Sequence, residues 1–300
     1  MRPIKLRYNK ETMSTPSVHR IAIVVRPGST DTLSEGAVIQ QWLKSHGVSS
    51  TVTTTDNQHL RRKISQGEYD LLIALGGDGT MLRAGHLTAA VGIPVIGINL
   101  GRVGFLTEIS PGEWRERLPL LAQGKFWIER RMMLRAAHWR GEECLGTWDV
   151  LNEVVVCRGM AVRPLHLTAV VDEEWQAEYT ADGLIASTAT GSTAYALAAG
   201  GPILPPELRN ILVLPVAPHL SVDRAIVLPE GARVALGAHT NHDAIFSVDG
   251  QKPVALVEGD WVRVEVGPYS ANFIRFQDPG YFYRNLTKYM EKNPAAGGDL

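Results

Sequence analysis

The residues best suited to chemistry form the run GGDGT at 76–80, which follows a short apolar segment and opens a helix-like one. Glycines let the backbone approach a bulky anion closely, and a helix N-terminus offers N–H groups and partial positive charge to a phosphate. Because a carboxylate would repel that phosphate, we interpret Asp78 as a general base for an attacking hydroxyl, or as a group that helps to hold Mg²⁺. The run predicts phosphoryl transfer. The alternative is an ordinary strand-to-helix turn in which Asp78 and Thr80 are local caps.

Better-known phosphate motifs are missing from the chain. It has no GxxxxGK[ST] P-loop and no GxGxxG fingerprint after the first strand-like run. The protein-kinase set of a glycine-rich loop with HRD and DFG is missing as well. These absences exclude an ordinary P-loop NTPase, an ordinary dinucleotide-binding fingerprint and a protein kinase.

Four other short segments carry polar residues that could bind a ligand. They are Asn152-Glu153, Ala181-Asp182-Gly183, the run TGSTAY at 190–195 and Asp249-Gly250. An amide beside a carboxylate can bind ribose hydroxyls or a base edge, and hydroxyl residues at a helix start can line a tight pocket. Each segment alone is better explained by a turn, a capped helix or a hairpin tip than by a binding site.

Alternating strand and helix patterns position the GGDGT run. Apolar runs at 21–25, 71–75 and 94–98 and a β-branched run at 48–54 predict strands, and amphipathic stretches between them predict helices. This order is typical of a Rossmann-like parallel α/β sheet. Ligands bind such sheets at the carboxyl ends of the strands, so we expect the important loops to follow Leu75 and Ile98.

The pattern changes in the second part of the chain. From about Phe126 to Phe276, short alternating or β-branched runs separated by turns predict a β-rich domain, and residues 281–290 predict a final helix. We therefore expect an α/β domain over residues 1–124, with residues 278–300 returning to it, and a β-rich domain over residues 125–277.

Composition narrows the class of protein. Hydrophobic residues make up 45% and charged residues 20%, and 30 basic residues against 31 acidic ones give a formal net charge of -1. This balance argues against a nucleic-acid protein with a broad basic face. Cys144 and Cys157 lack the spacing of a zinc site. No apolar run could span a bilayer and residues 1–19 lack a signal-peptide core, so we expect a cytoplasmic protein without membrane partners. Whether Met1 or Met13 is the true start stays open.

Together, the motifs resemble those of the NAD kinase family. The matching segments are GGDGT at 76–80, GRVGFLTE at 101–108, NEVVV at 152–156, ADGLIASTATGSTAYALAAGGPI at 181–203, LPVAPH at 214–219 and VDGQ at 248–251. GGDGT alone is shared with diacylglycerol-type lipid kinases and, in similar form, with phosphofructokinases. TGSTAY followed by GGPI is far more particular to NAD kinases. Ala189 departs from the pattern, because many members have proline there.

The resemblance implies a fold, a reaction and a set of site residues. It implies an active site between the two domains, where the γ-phosphate of ATP passes to the 2′-hydroxyl of the adenosine ribose of NAD to give NADP. It further implies a divalent ion such as Mg²⁺, with unknown protein ligands, and a homodimer or homotetramer. Asp78 matches the catalytic base. Gly76, Gly77, Gly79 and Thr80 are expected at the ATP phosphates. The residues expected at NAD are Gly79, Phe105, Asn152, Glu153, Asp182, Thr193, Ala194, Tyr195, Ala217 and Asp249.

Two alternatives remain at this stage. A lipid or sugar kinase could share the GGDGT run, but it would carry an apolar pocket or a sugar-phosphate site in place of TGSTAY. A non-catalytic NAD(P)-binding sensor would bind dinucleotide without forming NADP. Polyphosphate as the donor, NADH as an acceptor and feedback regulation also stay open.

Overall fold

The computed structural model describes residues 18–101, 104–161, 163–219, 224–239 and 243–292. Its first part contains four parallel strands that lie side by side in the order β2-β1-β3-β4. They are β1 (Arg20–Val25), β2 (Ser49–Thr54), β3 (Leu71–Leu75) and β4 (Val95–Ile98). All five residues of β3 are buried, because helices cover both faces of this part of the sheet.

Three helices connect these strands: α1 (Thr30–Ser45), α2 (Gln58–Ser65) and α3 (Asp78–Thr88). Successive strand residues point to opposite faces, and the helices divide accordingly. Alternate residues such as Ile21 and Ile23 pack against α1, whereas Ala22 and Val24 share a cluster with residues of α2 and α3. Asn57 caps α2, since its side chain accepts hydrogen bonds from two N–H groups of the first turn.

The second part of the described chain is mostly β-structure. Two short helices, α4 (Trp114–Arg117) and α5 (Pro119–Ala122), precede it. Its strands are β5 (Trp127–Arg140), β6 (Glu143–Val150), β7 (Glu153–Arg158), β8 (Leu165–Val171), β9 (Trp175–Ala181), β10 (Gly183–Ser187), β11 (Asn210–Val216), β12 (Ile226–Pro229), β13 (Val234–His239), β14 (Ala244–Val248), β15 (Val254–Leu256) and β16 (Asp260–Arg275). The helices α6 (Tyr195–Ala198) and α7 (Tyr281–Lys292) complete the described elements.

These strands form two layers around one apolar core. One layer has the order β12-β11-β10-β7-β14-β15, and the other runs from the parallel strands through β16 to β13, β8 and β9. Inward residues of both layers, including Leu167, Leu184, Phe246 and Val264, pack in a single buried cluster. The outer face of the six-stranded layer packs against Ala196 of α6. That face therefore carries the segment with the TGSTAY run.

The strands β5 and β16 join the two parts of the molecule. They pair antiparallel along almost their whole length, with a register shift between Val266 and Ser270. The other edge of β16 is shared: Phe273 pairs with Val95 of β4, whereas Val264 pairs with Val234 of β13. The parallel strands and part of the β-rich region thus belong to one continuous sheet.

The predicted combination of a parallel α/β region and a β-rich region is confirmed. The boundary at residues 124 and 125 stays a prediction. At the start of α7, Tyr281 and Phe282 pack with Phe105 of the first region and with Trp127 and Ile203 of the second. The return of α7 to the first domain also stays a prediction. None of the helices in the described part of the chain has the length and apolar character needed to cross a bilayer.

Candidate active site

Asp78 lies at the carboxyl end of β3, as the first residue of α3. Its carboxylate accepts two backbone hydrogen bonds from the loop after β4. The N–H of Phe105 donates to Oδ2 at 2.8 Å, and the N–H of Leu106 donates to Oδ1 at 2.9 Å. The two loops that the strand pattern singled out are thus joined through this side chain, whose bonds to Phe105 and Leu106 are not those of a local helix cap.

Glycines make this close approach of the two loops possible. Gly76 has φ +145°, and a Cβ there would lie 2.5 Å from Oγ1 of Thr80. A Cβ on Gly104 would lie 2.5 Å from Cγ and 2.7 Å from Oδ2 of Asp78. Gly77 and Gly79 are exposed, and a Cβ on either would meet nothing within 4 Å. The start of α3 therefore presents open backbone that an anion could reach.

The Asp78 carboxylate keeps part of its hydrogen-bonding capacity. An ionised carboxylate has about four lone-pair sites, and the N–H groups of Phe105 and Leu106 use two of them. The residue is half-buried, so solvent or a ligand can reach it. This arrangement fixes the orientation of the carboxylate while leaving acceptor sites for a hydroxyl proton, as a general base requires.

Asp249 holds the turn before β7 in place. Its side chain is fully buried, and its oxygens accept hydrogen bonds from the N–H groups of Leu151, Asn152 and Glu153 at 2.7 to 2.9 Å. The same carboxylate lies 2.6 Å from Nε2 of His86 on α3. The helix that begins with Asp78 is thereby linked to the Asn152-Glu153 pair. Contact of Asp249 with NAD stays a prediction.

Glu153 is a buried acid with spare hydrogen-bonding capacity. The residue is 8% exposed, and its Oε2 has no hydrogen-bond partner. Burial, followed by the charge of Asp249, raises the pKa of Glu153 to about 8, although the backbone N–H of Tyr195 opposes this shift. The side chain is therefore mostly protonated at neutral pH and can donate as well as accept a hydrogen bond.

The TGSTAY segment packs against the Asn152 turn. The carbonyl of Asn152 accepts hydrogen bonds from the N–H of Thr188 at 2.8 Å and from the hydroxyl of Ser187 at 3.0 Å. A Cβ on Gly191 would collide with that carbonyl. Thr193 ends the turn at Gly191–Thr193 and Ala194 follows it, and both residues are half-buried, as is Asn152. The structure thus brings these predicted residues together.

Asp182 and Ala217 lie at the same end of the six-stranded layer, because their neighbours Gly183 and Val216 pair. Asp182 precedes β10, where its carboxylate lies 3.2 Å from Nε of Arg158, and its N–H donates to the carbonyl of Val216. Ala217 comes directly after Val216, the last residue of β11; it is exposed and has a φ of +45°. Burial raises the pKa of the Tyr195 hydroxyl, and the neighbouring Asp182 adds to the rise.

Phe105 has a different position from the polar residues. Its N–H binds Asp78, while its ring is buried against Tyr281 and Phe282 of α7 and against Ile203. The side chain therefore lies where the loop after β4, the helix α7 and the segment after TGSTAY meet. Whether its ring also contacts the ligand stays a prediction.

The sequence assigned no role to several residues around the site. Gly104 lies against Asp78, and His86 contacts Asp249. In addition, a buried group of charged residues lies behind the loop after β4. That group consists of Glu108, Glu129, Arg131 and Arg275, and Tyr281 contacts it. A signal was available, because Glu129 and Arg131 occupy inward alternating positions of β5 together with Met133.

The described residues do not form a metal site of their own. No group of three or more histidine, cysteine or acidic side chains suited to a metal occurs among them. Both cysteines are free thiols, with Cys144 exposed and Cys157 half-buried. Asp78 offers one carboxylate at the edge where phosphates are expected. This fits Mg²⁺ only as an ion bound mainly by phosphate oxygens and water.

Comparison with known proteins places this architecture in a family. Sequence models of the ATP-NAD kinase N-terminal and C-terminal domains match residues 19–126 and 151–276. An NAD kinase of Chloroflexus aurantiacus is 36% identical over 280 residues, covering 92% of this chain and 100% of that protein. An Archaeoglobus fulgidus NAD kinase solved in complex with ATP aligns with a TM-score of 0.72 at 26% identity, over 90% of this chain and 98% of that one. A yeast NADH kinase complexed with NADH, 23% identical, shares the fold with a TM-score of 0.79 over 92% of this chain and 88% of that one. The chain belongs to the NAD kinase family.

Proposed function

We propose that this NAD kinase transfers the γ-phosphate of ATP to the 2′-hydroxyl of the adenosine ribose of NAD, with Asp78 as the general base. The observation that supports this role is the fixed, half-buried Asp78 carboxylate, which accepts N–H groups from Phe105 and Leu106 and keeps lone pairs for a further donor. The membership of the chain in the NAD kinase family supports the choice of substrate.

The chemical step needs alignment and one proton acceptor. The ribose hydroxyl donates its proton to a free lone pair of Asp78 while its oxygen bonds to the γ-phosphorus. The bond from that phosphorus to the β,γ-bridging oxygen breaks, and ADP leaves with the electron pair. Phosphoryl transfer depends mainly on such positioning and on neutralisation of charge. When bound, Mg²⁺ would supply part of that neutralisation.

The donor phosphates would lie along the carboxyl edge of the parallel strands. Gly76 and Gly77 directly precede α3 there, and Gly79 and Thr80 lie in its first turn, with Gly77 and Gly79 open to solvent. Val25 pairs with Leu75, so the loop after β1 leaves the sheet beside the GGDGT run. That loop lines an open pocket of about 330 Å³ and includes the exposed Arg26. A solved relative that binds ATP supports this assignment of the donor.

The acceptor would lie against the second group of predicted residues. Asn152 and Glu153 are suited to ribose hydroxyls, because Glu153 retains an unpartnered oxygen. Thr193, Ala194, Tyr195, Asp182, Ala217 and Asp249 complete the proposed NAD site with Phe105 and Gly79. We further propose that the enzyme is cytoplasmic and forms a homodimer or homotetramer. Light scattering of the purified protein would test the oligomeric state.

The test of the mechanism compares substitutions of Asp78 and Asp70, whose carboxylates each accept two backbone N–H groups. Asp78→Asn removes the proposed base after β3. We expect kcat to fall by about 10²-fold or more, the usual contribution of a general base, while KM for NAD changes little. NADP formation is followed with an NADP-specific dehydrogenase in the presence of ATP and Mg²⁺. Polyphosphate and NADH replace ATP and NAD in parallel assays.

Asp70→Asn is the matched control. Asp70 lies just before β3, at the amino end of the strand, whereas Asp78 follows its carboxyl end. The Asp70 carboxylate accepts two backbone N–H groups at 2.9 Å, and the Asp78 carboxylate likewise accepts two. We expect this variant to lose stability but to keep the wild-type kcat. Full activity of Asp78→Asn, or an equal loss in both variants, would remove the proposed base.

A further inference from the structure

Four buried charged side chains form a network behind the loop that binds Asp78. The side chains of Arg275, Glu108, Glu129 and Arg131 are 0%, 2%, 4% and 4% exposed. Oε2 of Glu129 accepts hydrogen bonds from Nε of Arg131 and Nε of Arg275, both at 2.9 Å. Nη2 of Arg275 also lies 2.9 Å from that oxygen, as an ion-pair contact without hydrogen-bond alignment. The two arginines balance the two glutamates.

One side of the network reaches the proposed base through a single residue. Nη1 of Arg275 donates to the carbonyl of Leu106 at 3.0 Å, and the N–H of the same residue binds Asp78. Nη1 of Arg275 also contacts Glu108 at 3.3 Å, and Glu108 accepts the N–H of Phe276 at 2.8 Å. The segment 106–108 is therefore attached to β16 at both ends.

The other side of the network reaches the TGSTAY segment. Nη1 of Arg131 donates to the hydroxyl of Thr190 at 3.2 Å. Thr190 directly precedes the turn at Gly191–Thr193, which packs against Asn152. The network thus spans from the backbone that holds Asp78 to the segment proposed to bind the adenosine half of NAD.

The helix α7 closes the network through Tyr281. The Tyr281 hydroxyl donates to Oε1 of Glu129 at 2.9 Å and accepts from Nη2 of Arg131 at 3.2 Å. Burial raises the pKa of Tyr281 to about 12, so this hydroxyl keeps its proton at neutral pH. Burial would raise the pKa of Glu129, but Arg131 and Arg275 lower it to about 2, so this carboxylate stays ionised.

A purely stabilising role explains such a network poorly. Removing charges from water costs several kcal/mol per ion, and well-packed apolar residues often stabilise a fold equally well. What the charges add is direction, because each guanidinium fixes several acceptors in one plane. Here the fixed acceptors are Glu129, the Leu106 carbonyl and the Thr190 hydroxyl.

We propose that Glu129, Arg131, Arg275 and Tyr281 are positioning residues for phosphoryl transfer. They hold the Leu106 backbone, which orients Asp78, at a fixed distance from the Thr190 segment. The helix α7 completes this arrangement through the Tyr281 hydroxyl. The inference rests on the proposed role of Asp78. It predicts that loss of single hydroxyls at the edge of the network lowers kcat without weakening substrate binding.

The test uses two substitutions that remove a hydroxyl and little volume. Tyr281→Phe removes two hydrogen bonds to charged groups, one with Glu129 and one with Arg131, and Thr190→Val removes one with Arg131. We expect kcat to fall about 3- to 20-fold in each, with KM for NAD and ATP within about twofold. Thr190→Ser restores the hydroxyl and should restore kcat. The double variant should lose less than the product of the single losses, because both act through one network.

Arg140→Met is the control, because it disrupts a buried charged network that lies away from the proposed site. Arg140 and His138 bind the buried Asp260 at the opposite end of the 16-residue strand β16. We expect Arg140→Met to lower the unfolding midpoint and to leave kcat per folded molecule unchanged. All rates are measured below the midpoint of each variant and divided by the folded fraction.

The outcomes separate the two proposals. Wild-type kcat in Tyr281→Phe and Thr190→Val, with only the unfolding midpoint lowered, would overturn the positioning role. A raised KM for NAD at unchanged kcat would overturn it too, because the network would then serve binding. Failure of the proposed function is different: the unsubstituted enzyme would form no NADP, or Asp78→Asn would stay active.

Discussion

Substitution of Gly104 by alanine is the sharpest perturbation of the site, because it introduces one methyl group against the proposed base. The added Cβ would lie 2.5 Å from Cγ and 2.7 Å from Oδ2 of Asp78. Carbon atoms in contact are normally about 3.5–4.0 Å apart, so the carboxylate and the loop must separate by about 1 Å.

That displacement breaks the two bonds that orient Asp78. The N–H donors of Phe105 and Leu106 lie at 2.8 and 2.9 Å, and a separation about 1 Å greater is no longer a hydrogen bond. Misplacement of a catalytic group by about 1 Å can cost about 10²-fold in rate. We therefore expect kcat of Gly104→Ala to fall about 10²-fold, which corresponds to about 2.7 kcal/mol. KM for NAD should change by less than about threefold.

Gly101→Ala is the matched control in the same loop. A Cβ on Gly101 would meet nothing within 4 Å, and neither Gly101 nor Gly104 has a left-handed φ. Steady-state rates of NADP formation and thermal unfolding are measured for both variants. We expect wild-type kcat for Gly101→Ala. Wild-type kcat for a folded Gly104→Ala would refute the reasoning, since a displaced carboxylate could then not be the base.

Two further predictions concern stability. The pKa of Glu153 rises from its ordinary value of 4.5 to about 8 in the folded protein, so the folded state keeps a proton that the unfolded chain releases between these values. The free energy of unfolding should therefore fall from pH 4.5 to pH 8, by at most about 1.4 kcal/mol per pH unit, and urea titrations of Glu153→Gln should show a flatter profile. Asp249→Ala should lose about 3–5 kcal/mol, because three backbone N–H groups and His86 lose a buried acceptor. Asp249→Asn, which tolerates the φ of +49° and keeps one acceptor oxygen, should lose less in the same titration, and equal losses would contradict this account.

Local patterns in the sequence predicted most of the fold. The apolar run 71–75 gave strand β3 and the amphipathic stretches gave α1 to α3, because burial of alternate faces leaves a clear period in the chain. The sequence also singled out the loops after β3 and β4 as the important ones. In the structure, the Asp78 side chain joins these two loops.

Long-range contacts between polar groups were not predictable in the same way. Arg275 and the Leu106 carbonyl are 169 residues apart, and no local pattern pairs them. Asp249 looked like the tip of a hairpin, yet its carboxylate is fully buried beneath the Asn152 turn. Neither position carries a periodic signal, because each side chain binds polar groups from segments that are distant in sequence. The raised pKa of Glu153 likewise depends on burial and on Asp249.

The shared edge of β16 has a consequence for how the polypeptide matures during synthesis. Val95 of β4 pairs with Phe273, which is translated long after the parallel strands have left the ribosome. Until then, that side of β4 is an open sheet edge, and open edges invite pairing with other chains. A fragment that stops at residue 125 should therefore aggregate, and the nascent protein gains most from chaperones before its last strand emerges.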